Sequence, residues 1–261
     1  MHSIDDVVRF LDEFAPPALA ESWDNVGLLV GDRKKPVSRV MTCLTVTPAS
    51  AEEAIKERAD LIVAHHPLPF RPLKRLTSDT IEGRLLLDLI SSGVAIYSPH
   101  TAFDSTRDGI NQRLADGLGL SESTVLVPAA TGDLGAGRWG KLAEPTPLAE
   151  LAQRVKQFLK IEHVQLVGSP AQLVANVAVA CGSAGELLPA AREAGCDAMV
   201  TGEMRFHGCL EAEASGLALI LAGHFASERF GVEQLAQVLA EQLPGVRVWA
   251  SGREHDPVWW A

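Results

Sequence analysis

Paired thiols, a cationic surplus and long apolar runs are all missing from this sequence, and each absence removes a class of function. The four cysteines, Cys43, Cys181, Cys196 and Cys209, are scattered with no C-x-x-C pair. A thiolate metal site and a disulfide framework are therefore both disfavoured, and a reduced, cytoplasmic chain is expected. Basic residues number 23 against 33 acidic ones, for a formal net charge of -10. That balance argues against non-specific nucleic-acid binding, which needs cationic side chains to displace phosphate counterions. It leaves room for a small anionic substrate in a local positive pocket. The longest apolar runs, such as Leu217–Ala222, are too short to span a bilayer, so no membrane partner is expected. The opening Met-His-Ser-Ile-Asp-Asp has neither a basic n-region nor an apolar h-region, and no signal peptide is expected. The glycine-rich stretch Cys181–Gly185 lacks the Walker lysine and the full dinucleotide spacing. It reads as a tight strand-to-helix turn whose backbone N–H groups could lie near an anion.

What is present is ordinary globular material: 261 residues, 47% hydrophobic and 21% charged, enough for one large domain or two lobes. Apolar residues at helical spacing predict a helix over 4–14, with Ser3 as N-cap ahead of Asp5 and Asp6. A strand over 39–47, a helix over 49–58 and a strand over 60–66 form a βαβ unit, the building block of a parallel sheet. Residues 190–207 repeat the helix, aspartate, strand and histidine-bearing turn of 54–70, so two lobes of similar α/β architecture are expected. The Gly-, Ala- and Pro-rich stretch 125–140 reads as the seam. It divides the chain into an N-terminal lobe, 1–125, and a C-terminal lobe, 126–261, whose last segment from about 217 packs back on the first. Trp23 reads as a core residue, with a pocket wall as the alternative.

Chemistry concentrates where the strands end. His65 and His66 close the apolar run Leu61–Ala64, and Pro67 stops the strand there. Adjacent strand residues point to opposite faces, so both imidazoles can meet one site only at a strand terminus; two solvated loop histidines are the alternative. Asp104 with His100, Glu203 with His207, and His224 with Glu228 also follow predicted strands. Ligands of open parallel sheets bind outside the carboxyl ends of the strands. His224 and Glu228 are four apart, one face of a helical turn. Imidazole and carboxylate without thiolate suit Zn, Fe, Mn, Co or Ni, and so many donors exceed one tetrahedral ion. Two divalent cations sharing a bridging carboxylate and water, about 3.5–4 Å apart, fit better. The loop Phe70-Arg-Pro-Leu-Lys-Arg75 is basic, either as solvated charge or as an anchor for a substrate phosphate.

These residues carry a resemblance. Trp23-Asp-Asn-Val-Gly-Leu28, His65-His66-Pro67, His100-Thr-Ala-Phe-Asp104, Gly109-Ile-Asn111, Thr201-Gly-Glu-Met-Arg-Phe-His207 and Gly223-His-Phe-Ala-Ser-Glu228 together resemble the NIF3 family, also named GTP cyclohydrolase 1 type 2 homologs. The resemblance implies a two-lobed α/β subunit with a dinuclear metal site in the cleft between the lobes, assembled as a toroidal homohexamer. It assigns the metal ligands to His65, His66, Asp104, His224 and Glu228, with Glu228 bridging, and places His100 and His207 near the site as acid/base groups. Two departures concern the pocket: many members carry aspartate where this chain has Thr45, and the variable aromatic after the last histidine is Phe225.

Two functions follow from that resemblance. One is a metal-dependent hydrolase, GTP cyclohydrolase-like, acting on a nucleotide or similar small anionic substrate through a metal-bridging hydroxide, with His100 or His207 moving protons. The other is a non-catalytic protein that stores, delivers or senses a transition metal.

Overall fold

In the computed structural model, which describes residues 2–130 and 132–259, the chain forms two compact units, Met1–Phe103 with Gly231–His255 and Asp104–Phe230 with Asp256–Ala261. The architecture is α/β in both.

The first unit is built on a five-stranded sheet in the order Arg247–Ala250, Arg39–Cys43, Leu61–Ala64, Ala95–Ser98, Gly27–Val30. The first four strands run parallel and Gly27–Val30 is antiparallel. Every residue of Leu61–Ala64 and of Ala95–Ser98 is buried, which is why these strands read as unbroken apolar runs rather than alternating ones. The predicted βαβ unit is present. Its helix, Pro48–Lys56, starts earlier than the sequence suggests because Thr47 and Ser50 form a capping box with Pro48 in the first turn. The preceding strand accordingly stops at Cys43 and not at Thr47. Helix Ile4–Phe14 has the expected cap, a reciprocal Ser3–Asp6 box. Met41, Ile62, Ile96, Ala54 and Leu89 centre the core under this sheet. Trp23 does not join it: the side chain is 61% exposed. Its neighbour Asp24 turns inward to hydrogen-bond with His100 and Thr101, so the tryptophan faces out.

The second unit holds a six-stranded mixed sheet in the order Ser121–Pro128, Gly135–Pro147, Leu173–Ser183, Ala198–Glu203, Ala218–Leu221, Gln165–Val167. Its three consecutive strands Leu173–Ser183, Ala198–Glu203 and Ala218–Leu221 are parallel. Across the Gly- and Pro-rich stretch, Ser121–Pro128 and Gly135–Pro147 pair antiparallel in this sheet. Leu114, Leu148, Leu151, Val155, Val177 and Ile220 fill the core on one side.

Strand Leu173–Ser183 runs past the expected stop at Ala180, and its pairing with Ala198–Glu203 shifts register between Ala180 and Ser183. Gly182 sits in that irregularity with φ +62°, a left-handed conformation that glycine adopts at little cost. The helix predicted from Glu186 begins at Leu188, preceded by a 3-10 turn over Gly185–Leu187. All four cysteines are free. Among the described residues, no helix is long and apolar enough to cross a membrane.

Candidate metal centre

In the first unit the parallel ladder continues one step past its last strand residue. The backbone N–H groups of His65 and His66 donate to the carbonyls of Cys43 and Leu44 at 2.9 and 2.8 Å. Ser98 donates to the His65 carbonyl at 2.6 Å. These bonds fix both histidines at the carboxyl end of the sheet, as the sequence predicts. His100 joins them: the ring centroids are 5.2 Å apart for His65–His66, 5.2 Å for His65–His100 and 5.5 Å for His66–His100. One ring nitrogen from each lies within 4.8 Å of the others, a spacing able to hold a metal ion. His65 is 2% exposed.

Each ring is oriented by a neighbour. Thr45 Oγ1 lies 2.6 Å from His66 Nδ1, and the Thr45 and Leu44 N–H groups both donate to the Glu254 carboxylate. The threonine thus occupies the orienting place beside His66. His100 Nδ1 lies 2.7 Å from Asp24 Oδ1. Burial would raise the Asp24 carboxyl, but hydrogen bonds from His100 and Thr101 and the charge of His100 outweigh it and bring it down to about 2. An ionised Asp24 makes Nδ1–H the donor, so the neutral imidazole carries its lone pair at Nε2. His100 also adopts φ 27°, a strained backbone for a non-glycine residue and one that concentrates at functional sites.

The second unit carries the acidic donors. Helix His224–Gln242 begins with His224 and presents Glu228 one turn later, the Nε2 and Oε2 atoms 3.1 Å apart. Glu203 accepts from His224 Nδ1 at 3.0 Å. Hydrogen bonding to Glu228 and, against some desolvation, the charges of Glu228 and Glu203 raise His224 to about 9. Glu228 is buried although it is a carboxylate, and Gly182 makes room for it: a Cβ on Gly182 would lie 2.2 Å from Glu228 Oε1 and 3.4 Å from His224 Nε2. Ser227 Oγ accepts from the Gly182 N–H at 2.9 Å and locks that approach.

Asp104 is positioned through its backbone and its carboxylate. Asn111 donates to the Asp104 carbonyl at 3.0 Å and accepts from the Cys181 N–H at 2.8 Å. The Cys181 thiol donates to Asp104 Oδ1 at 3.2 Å. Burial, with the charges of Asp104 and Glu228, pushes that thiol well above the ordinary range. It therefore acts as an S–H donor and not as a thiolate ligand. Arg138, 2% exposed, donates to the carbonyls of Ser105 and Thr106 just beyond Asp104, and to those of Gly135 and Gly137. Sequence reasoning gave Arg138 no role beyond a strand residue. No spacing signal marks a buried arginine that donates to four backbone carbonyls and the Gln112 side chain.

His207 is exposed at the start of helix Phe206–Ser215, with its ring 5.9 Å from that of Phe206. Glu203, placed by sequence among the residues that follow strands, orients His224. The basic loop 71–76 is exposed throughout.

The His65–His66–His100 cluster of the first unit and the His224–Glu228 pair of the second are each made of donors suited to a divalent transition metal. The family model described as Duf34/NIF3 (NGG1p interacting factor 3) matches residues 2–257, and the chain belongs to that family. A Clostridium acetobutylicum protein named GTP cyclohydrolase 1 type 2 homolog is 35% identical over 227 residues, covering 86% of this chain and 85% of the relative. A Schizosaccharomyces pombe protein named Protein NIF3 homolog is 37% identical over 268 residues, covering 96% and 95%. Among solved structures, a Bacillus cereus protein related to NIF3 matches with a TM-score of 0.91 at 25% identity, covering 100% of this chain and 99% of that one.

Proposed function

We propose that this protein is a metal-dependent hydrolase of a nucleotide or similar small anionic substrate, with two divalent cations held by His65, His66, Asp104, His224 and Glu228. The observation that carries the reading is the His65–His66 pair at the end of a buried sheet, ring centroids 5.2 Å apart, with a nitrogen of His100 within 4.8 Å of theirs. When bound, the cations supply Lewis acidity and lower the pKa of a water at the site. His100 moves a proton, with Asp24 fixing its tautomer as an orienting carboxylate fixes a catalytic imidazole. His207 is the second proton-transfer candidate, on the resemblance alone. Thr45 and Glu203 hold the His66 and His224 rings in ligand orientation. The native assembly in this reading is a homohexamer, measurable by native mass spectrometry.

The test is metal analysis of protein purified without added metal, followed by a turnover screen of nucleotides and phosphoesters on that preparation. Metal-dependent, saturable turnover supports hydrolysis. Transfer of metal to a chelating acceptor without turnover of any substrate supports storage or delivery instead.

A further inference from the structure

Trp23 is 61% exposed and Phe70 is 42% exposed, yet neither is loosely held. Asp24 binds His100 and the Thr101 N–H, while Asn25 donates to the Pro69 carbonyl at 2.7 Å. The residues next to both aromatic rings are thus fixed by buried or half-buried hydrogen bonds. The rings meet with centroids 6.0 Å apart, and His100 stands edge-on to each at 6.0 Å. Three aromatic rings therefore meet around one point beside the histidine trio, with large apolar faces left in solvent. A tryptophan exposed by construction at a candidate site is informative in a way that scattered surface apolar residues are not.

The charge beside these rings is equally distinctive. Arg71, Lys74 and Arg75 follow Phe70 directly, all exposed, and no acidic residue occurs between Asp60 and Asp79 in a chain of net charge -10. An aromatic platform alone could receive a quaternary cation, but three adjacent positive charges oppose that ligand. They favour a planar ring bearing an anionic tail. The patch is one platform and one short loop on an acidic protein, too small to track a nucleic-acid backbone.

We propose that Trp23 and Phe70 stack the base of a mononucleotide whose phosphates lie against Arg71, Lys74 and Arg75. This deepens the hydrolase reading above and rests on it for the reaction, but not for binding. The chain contains five tryptophans, so ring stacking on Trp23 is read as partial quenching of intrinsic fluorescence.

The experiment titrates the metal-loaded, full-length protein with ATP and GTP, and in parallel with guanosine, inorganic tripolyphosphate and a single-stranded oligouridylate. Saturable quenching by ATP or GTP is expected, with guanosine and tripolyphosphate each binding at least tenfold more weakly. In calorimetry, Trp23→Ala should weaken nucleotide binding roughly tenfold, and the triple change Arg71→Ala, Lys74→Ala and Arg75→Ala should remove most of its salt dependence. Equal binding by Trp23→Ala, tripolyphosphate binding as tightly as ATP, tighter binding of the oligouridylate, or no nucleotide binding would overturn the proposal. Metal content is measured on the same preparations. Trp23-dependent nucleotide binding without stoichiometric metal would sink the hydrolase reading and leave this inference standing, whereas metal without such binding does the reverse.

Discussion

Glu228 Oε1 lies where a side chain on Gly182 would have to go: an added Cβ would come within 2.2 Å of it. The strand irregularity at Gly182 and the burial of Glu228 are one arrangement. The φ of +62° opens the space, and the Ser227 hydroxyl holds the turned backbone in place. Gly182→Ala should therefore cost about 1–2 kcal/mol for the left-handed backbone alone and displace the glutamate as well. Metal titration of the variant should show weakened binding together with a lowered unfolding midpoint. Unchanged metal affinity would mean that Glu228 takes no part in holding metal.

Thr45 faces His66 Nδ1 at 2.6 Å. Removing a partner that orients a metal-binding histidine typically costs about 10–100-fold in affinity. Thr45→Val should fall within that range, and Thr45→Asp, a stronger acceptor, should match or exceed the parent. Competition with a chelator of known affinity measures both. A Thr45→Val protein that binds as tightly as the parent would show that His66 needs no orienting partner.

Arg138 satisfies four backbone carbonyls from a nearly inaccessible position. Replacing it with Met removes that donor from all four, with Thr106 keeping only the bond from the Gly109 N–H, which should cost about 2 kcal/mol or more. Denaturant unfolding gives the value. A loss below about 1 kcal/mol would indicate that water replaces the guanidinium.

Glu53 accepts hydrogen bonds from Trp249 Nε1, Ser251 Oγ and the Gly252 and Arg253 N–H groups, tying the chain after the last strand to helix Pro48–Lys56. Desolvation would raise its carboxyl, but these bonds together hold it below the ordinary range of a glutamate. A depressed carboxylate contributes stability that is present above its unfolded pKa and lost as pH falls through the folded one. The parent should thus be more stable than Glu53→Gln at pH 7, with the gap narrowing below about pH 4.5. Thermal unfolding across that range checks the sign; a gap that widens in acid would contradict it.

The parallel core and the paired histidines were legible because their signals are local. Leu61–Ala64 is an unbroken apolar run stopped by Pro67, and His65–His66 must follow it. The helix at Pro48 and the strand past Ala180 were misplaced by a few residues, since a capping box and a glycine irregularity decide those ends. Trp23 was read as core because composition cannot show that Asp24, its neighbour, takes the inward place. Asn111, Cys181 and Arg138 were invisible as positioning residues. Apart from Gly135 and Gly137, their partners lie 7 to 77 positions away in sequence, and most are backbone atoms that no residue pattern records.

In the function proposed above, two cations are held by these histidines and carboxylates, with Glu228 common to both. Elemental analysis of the parent and Glu228→Ala, each purified without added metal and matched for folding by circular dichroism, tests it most directly. About two divalent transition-metal ions per chain are expected in the parent and almost none in the variant. Full occupancy in Glu228→Ala, or a parent that carries no metal and takes up none on titration, would contradict it.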